Sequence, residues 1–169
     1  SHPKIRNFLS QTLAKKIKKD FEGLFVIAGV ATGAIGIGML VAQKLDLPFI
    51  YVRPQPKKYG RKNQIEGQLI KGERVLVIED LISTGKSSLN AVKALKENGA
   101  EILGMMALFT YGFSIAEKAF DKAGVKLQTL CDYQNLISTA LEKGEISESQ
   151  SENLKNWRKK PEIWSPKAH

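Results

Sequence analysis

Cysteine is nearly absent from this 169-residue chain: Cys131 is the only one, so no internal disulfide can form. A disulfide scaffold is excluded, and a reducing, cytoplasmic compartment is expected. No basic-then-apolar leader opens the chain, so no secretory signal is read. The sequence begins Ser1-His2-Pro3 without a methionine, and a further stretch is expected upstream. Acids are short as well, with 17 Asp and Glu against 26 Lys and Arg and a formal charge of +9. There is no low-complexity tract, no internal repeat and no break in composition. A single domain over 1–169 is therefore expected, with a helical C-terminal tail from about 147.

A long uninterrupted apolar run is also missing. Gly23 to Gln43 carries no charge and has the length of a bilayer span. Four glycines (Gly29, Gly33, Gly36 and Gly38) break it up. A short buried strand over 24–28, a tight turn over Gly29–Gly33 and a buried helix over 34–45 account for it better. No membrane partner is expected.

Hydrophobic residues make up 43% and charged residues 25%, the balance of a globular domain with a real core. The positive surplus attracts polyanions or phosphorylated small molecules. It lies in two clusters. Residues 1–20 hold six cations against Asp20, and residues 53–74 hold seven against Glu66 and Glu73. The first cluster reads as a solvated helix face (Lys15, Lys16, Lys18, Lys19) opposite a stripe of Ile5, Phe8, Leu9, Leu13 and Ile17. Nucleic acid is not the expected partner, because Tyr51 and Tyr59 are too few for a stacking platform and no recognition motif is present.

Strands are expected at 24–28, 49–52, 75–79, 102–109 and 126–130, and helices at 4–19, 34–45, 87–98, 115–123 and 134–143. Gly99 suits the position just past the 87–98 helix. The strands are continuous apolar runs, as in parallel sheets covered on both faces. The expected fold is α/β: an open, mainly parallel twisted sheet with helices on both faces.

Such sheets bind ligands beyond the carboxyl ends of their strands. Three segments stand there. In Glu79-Asp80-Leu81-Ile82-Ser83-Thr84-Gly85-Lys86-Ser87, two acids precede a loop of small hydroxylic residues and a helix start. Amides and hydroxyls can cradle a phosphate, while the carboxylates suit the vicinal hydroxyls of a sugar. Together they describe a ribose-5-phosphate site; the plainer alternative is a strand-loop-helix capped by Ser87. A P-loop is excluded because Asp80 stands where its first glycine belongs, and no G-x-G-x-x-G fingerprint is present. The second segment is the Gly29–Gly33 turn, whose small residues allow close approach to an anion. The third, residues 53–70, is long, basic and punctuated by Pro54, Pro56, Gly60 and Gly67, and reads as a lid.

Val75 to Gly85 resembles the phosphoribosyl pyrophosphate (PRPP) signature of type I phosphoribosyltransferases. Tyr51 to Gly60, running on to Ile65-Glu66-Gly67, is similar to the mobile loop of the orotate branch of that family. Ala28 to Gly33 and Ala107 to Gly112 resemble further segments of a bacterial group within it. The resemblance implies transfer of 5-phosphoribosyl from PRPP to orotate, giving orotidine 5′-monophosphate and pyrophosphate, with Mg²⁺ carried mainly by the diphosphate and water. It implies that Glu79 and Asp80 hold the ribose hydroxyls. Leu81, Ile82, Ser83, Thr84, Gly85, Lys86 and Ser87 would form the phosphate loop, with Ser83 also near orotate. Ala31, Thr32 and Gly33 would approach the pyrophosphate. Arg53, Lys57 and Tyr59 would come from the lid of a partner subunit in a homodimer, with Lys57 and Arg53 catalytic. No residue is assigned as a metal ligand. Two alternatives stay open: a phosphoribosyltransferase for another nucleobase, and a non-enzymatic PRPP-sensing or RNA-binding regulator on the same fold.

Three departures from the family pattern stand out. Tyr59 occupies a place that usually carries His, and Lys86 replaces a small residue. The family also carries a segment ahead of the position matching Ser1 that helps cover the base; the sequence does not include it. Elsewhere Cys131 is expected as a small packing residue, Met105 and Met106 as core, and Trp157 and Trp164 as anchors for the tail. His2 and His169 are expected in disordered ends.

Overall fold

The computed structural model describes residues 2–23, 25–55, 63–159 and 161. In chain order the elements are α1 (Pro3–Asp20), β1 (Val26–Val30), α2 (Gly33–Leu45), β2 (Phe49–Val52), β3 (Ile65–Glu66), β4 (Arg74–Ile82), α3 (Lys86–Glu97), β5 (Glu101–Thr110), α4 (Ser114–Ala123), β6 (Leu127–Asp132), α5 (Tyr133–Glu142) and α6 (Glu148–Lys159). One six-stranded sheet has the order β3-β2-β1-β4-β5-β6. All its pairings are parallel except β2 with β3. The open α/β sheet expected from the alternating apolar runs is the one found.

Alternation along the central strands divides the core into two layers. Ile27, Leu76, Ile78 and Met106 face α1 and α2, where they meet Leu13, Ile17, Val41 and Ala42. Val26, Ala28, Val75, Val77, Met105 and Ala107 face the other way, onto Val92 and Leu95 of α3 and Phe120 of α4. Every strand residue from Val75 to Ile78 is fully buried, which is why those strands read as continuous apolar runs. Met105 and Met106 are core, as expected. Among the described residues no helix is long and apolar enough to cross a membrane.

Several local expectations need correction. Strand β1 runs on to Val30, so Gly29 is a strand residue, and the turn is only Ala31–Thr32 before α2 begins. Strand β4 continues past the expected end at Glu79 to Ile82, so Asp80 also lies within the strand rather than after it. The long basic segment is not all loop, because Ile65–Glu66 pairs with the outer edge of β2. Ile5 and Phe8 of the helix stripe are 57% and 65% exposed, and burial begins only at Ser10 and Leu13. Cys131 is exposed rather than packed, because β6 is an edge strand with few covered positions. His2 occupies the position that opens α1. Trp164 and His169 lie outside the described residues.

Helix α3 is not capped by Ser87. It opens from Gly85, which has φ 77 and no side-chain cap. Gly85 is required for two reasons: the left-handed backbone, and a Cβ that would lie 2.8 Å from Cε2 of Phe120. Gly85→Ala is expected to lower stability by about 2 kcal/mol or more, read as a lower urea midpoint at unchanged slope. A midpoint equal to wild type would contradict that packing.

Candidate active site

Strand order reverses between β1 and β4: the chain leaves β1 toward β2 on one side and leaves β4 toward β5 on the other. A crevice forms where connections diverge in this way, beyond the strand ends. Parallel pairing of β1 with β2 and β4 brings three of the expected segments to that one edge. They are the Ala31–Gly33 turn, Arg53 just after β2, and Glu79–Asp80 with the loop that follows. The turn is tied to β2 by the Ala31 N–H, which donates to the Val52 carbonyl at 2.8 Å. The Ala31–Thr32 peptide bond is cis.

The two acids are not equivalent. Alternation turns Glu79 inward beneath α3, where it is 4% exposed. Its Oε2 accepts from the Ser88 hydroxyl at 2.8 Å, and its Oε1 accepts from the Asp80 N–H at 3.1 Å. Burial, aided by the adjacent Asp80 carboxyl, pushes the Glu79 carboxyl up to about 7. Asp80 faces the crevice half-exposed, its Oδ1 accepting from the Leu81 N–H at 2.8 Å. Gly33 lies directly against the Asp80 carboxylate, and a side chain there would occupy the same space. The second and first expected segments therefore meet at this contact.

The loop that follows supplies donors. Ser83 is half-buried, and Thr84, Lys86 and Ser87 are exposed. The first turn of α3 holds no acid, and no side chain caps it. Its amides, with the positive end of the helix dipole, make an anion site. Leu81 is 40% exposed, while Ile82 is fully buried and uses its carbonyl to accept from the Tyr111 N–H at 3.0 Å. Arg53 pairs with Glu66 at 3.5 Å, and its N–H donates to the Gln64 carbonyl at 2.8 Å. Lys57 and Tyr59 lie outside the described residues.

Ser83 and Thr84 also border a cleft of about 1120 Å³. Its far side is aromatic: Tyr111 contacts Phe113, Tyr133 and Trp157 at ring-centre distances of 5.4, 5.8 and 5.6 Å. Burial beside Tyr111 raises the Tyr133 phenol above its ordinary value. Sequence reading left this wall and Ser88 out of the site. Phe109, Tyr111 and Phe113 do recur at period two, which was a usable sign of one shared face. Nothing local marks Trp157 as more than an anchor, because its partners are far away in sequence.

A family model described as the phosphoribosyl transferase domain matches residues 2–137. The chain belongs to the phosphoribosyltransferase family. It is 52% identical over 164 residues to the orotate phosphoribosyltransferase of Porphyromonas gingivalis, a match covering 97% of this chain and 78% of the relative. The solved orotate phosphoribosyltransferase of Aeropyrum pernix is 26% identical with a TM-score of 0.68, over 85% of this chain and 77% of that one. The UMP synthase of Leishmania donovani has a TM-score of 0.79 at 23% identity, over 94% of this chain and 34% of that larger one, a likeness of fold alone. Both acids and the loop that follows them, to Ser87, fall within the matched phosphoribosyltransferase domain.

The raised Glu79 carboxyl has a signed consequence for stability. Between its ordinary 4.5 and about 7, the folded chain keeps a proton that the unfolded chain has released. The stabilising contribution is therefore full below 4.5 and lost as pH rises through about 7. Glu79→Gln, which keeps an acceptor for Ser88, is expected to gain melting temperature relative to wild type across that window. Parallel curves for the two proteins would contradict this assignment.

Proposed function

We propose that this chain transfers the 5-phosphoribosyl group of PRPP to orotate, yielding orotidine 5′-monophosphate and pyrophosphate. One observation carries the reading: the paired acids of β4 stand beside a hydroxyl-rich loop and the uncapped start of α3 at the switch point, in a chain half identical to orotate phosphoribosyltransferases.

Each segment has a chemical task. The 5′-phosphate sits on the amides and hydroxyls from Ser83 to Ser87, with the Lys86 charge alongside. The ribose hydroxyls donate to Glu79 and Asp80. Donation to Glu79 favours its ionised form, so binding releases its proton at neutral pH. The Ala31–Gly33 turn approaches the diphosphate. Arg53, Lys57 and Tyr59 belong to a lid that closes over it from the partner subunit of a homodimer. As the C1′–O bond breaks, positive charge grows on the ribose and negative charge on the leaving pyrophosphate. The ring nitrogen of orotate bonds to C1′ in place of the departing pyrophosphate oxygen, and its N–H proton passes to solvent or to the pyrophosphate. The lid cations stabilise the developing negative charge and exclude water from the cationic sugar.

Magnesium fits as an ion brought by the substrate. Among the described residues no three carboxylate, histidine or cysteine side chains cluster to form a protein cage. The half-exposed Asp80 carboxylate is the side chain positioned to meet it through water. When bound, the ion would neutralise diphosphate oxygens. A cytoplasmic location fits the lone exposed thiol.

The test is loss of orotate absorbance with PRPP and Mg²⁺, with adenine and uracil as competing bases. Orotate is expected to be consumed and the competitors ignored. Lys57→Ala is expected to lower kcat about 100- to 1,000-fold. Binding of PRPP with no turnover of orotate would contradict the proposal.

A further inference from the structure

Helix α6 plays no part in the reading above, yet it grips the rim of the same cleft. Arg158, half-buried, donates from Nε to the Tyr111 carbonyl at 2.8 Å and from Nη2 to the Gly112 carbonyl at 2.7 Å. Gly112 has φ 62, and a Cβ on it would lie 2.6 Å from Nη2, so the guanidinium fills the space a side chain would need. The neighbouring Trp157 meets Phe113 and Tyr133 at 5.9 and 5.3 Å, and the Tyr133 hydroxyl donates to the Leu154 carbonyl at 3.3 Å. The gripped turn is itself joined to the phosphate loop, because the Tyr111 N–H donates to the Ile82 carbonyl at 3.0 Å.

A tail anchor alone accounts for Trp157 but not for the rest. The guanidinium spans two consecutive carbonyls of the turn that lines the cleft together with Ser83 and Thr84. Exposed Lys155 and Lys159 line that cleft too. An aromatic wall with cations along its edge suits a flat, negatively charged heterocycle better than a neutral one.

We propose that α6 builds one wall of the base compartment, with Arg158 as a positioning residue that holds the Tyr111–Gly112 turn for a planar anionic base. This inference rests on the orotate reading. Arg158 acts through the turn, and Lys155 and Lys159 offer charge to the carboxylate of the base. Of the loop that follows β4, Ser83 and Thr84 border this cleft, while Glu79, Asp80 and residues 85–87 are not among its lining residues.

The full chain is tested with Arg158→Lys and Arg158→Ala by orotate KM, kcat, PRPP dissociation constant and melting temperature. Lysine cannot bond both carbonyls as the fork does. Both variants are expected to raise orotate KM about tenfold or more, with PRPP affinity within about twofold of wild type. Weakening of PRPP in step with orotate, or a lower melting temperature with orotate KM unchanged, would overturn the inference. A second readout does not depend on turnover. In a Trp164→Phe background, orotate added with pyrophosphate and Mg²⁺ is expected to quench Trp157 emission; an unchanged emission overturns the inference even where Arg158→Ala does not fold. Wild type that turns over no orotate refutes the underlying reading and this inference with it. Normal turnover in the variants refutes only the inference.

Discussion

A buried carboxylate held by a helix hydroxyl is the constraint on which the site depends. Helix hydroxyls usually turn back to a carbonyl of their own helix, as Ser10 does to Asn7 and Thr12 to Phe8 in this chain. Ser88 instead donates across to Glu79, joining the first turn of α3 to the end of β4. The loop between them, Ser83 to Gly85, is thereby fixed at both ends. Leaving Glu79 buried without that partner would cost on the order of 1–3 kcal/mol. The same bond sets the distance between the acids proposed to meet the sugar and the amides proposed to meet its phosphate.

The rest of the sheet makes that edge available. Helices cover both faces, so the strand ends are where backbone and polar side chains can meet a ligand. The left-handed Gly85 aims the opening of α3 at the crevice, and Phe120 packs beneath it. Gly33 brings the β1 turn against Asp80 with nothing between them. The parts proposed to face the diphosphate and the sugar thus come from opposite sides of the switch point. A ligand that fills the crevice must touch both.

Much of this was legible in the sequence for a physical reason. Parallel strands covered on both faces must be apolar throughout, and Val75 to Ile78 and the run through Met105 and Met106 say so directly. Two acids at the end of such a run have no structural excuse, so the site stood out. What failed was what depends on neighbours. The continuation of β4 from Asp80 to Ile82 was missed because the acids and the hydroxyls after them read as a loop. The two residues of β3 form a strand only because β2 offers an edge. Cys131 looked like a small packing residue but sits exposed on an edge strand. Phe8 belongs to a helical stripe whose Leu13 and Ile17 are buried but whose N-terminal end, Ile5 and Phe8, no described element covers. Arg158 and Tyr111 are 47 positions apart, and no local pattern links them.

The central claim is that a ribose phosphate binds with its hydroxyls on the β4 acids. It is tested most directly by titration calorimetry of PRPP near pH 7, in buffers of differing ionisation enthalpy, with wild type and Glu79→Gln side by side. The account predicts that wild type releases a fraction of a proton more than the variant on binding, a difference that fades well above pH 7, where Glu79 is already ionised. Equal proton release by the two proteins, or binding indifferent to the loss of the carboxylate, would contradict it.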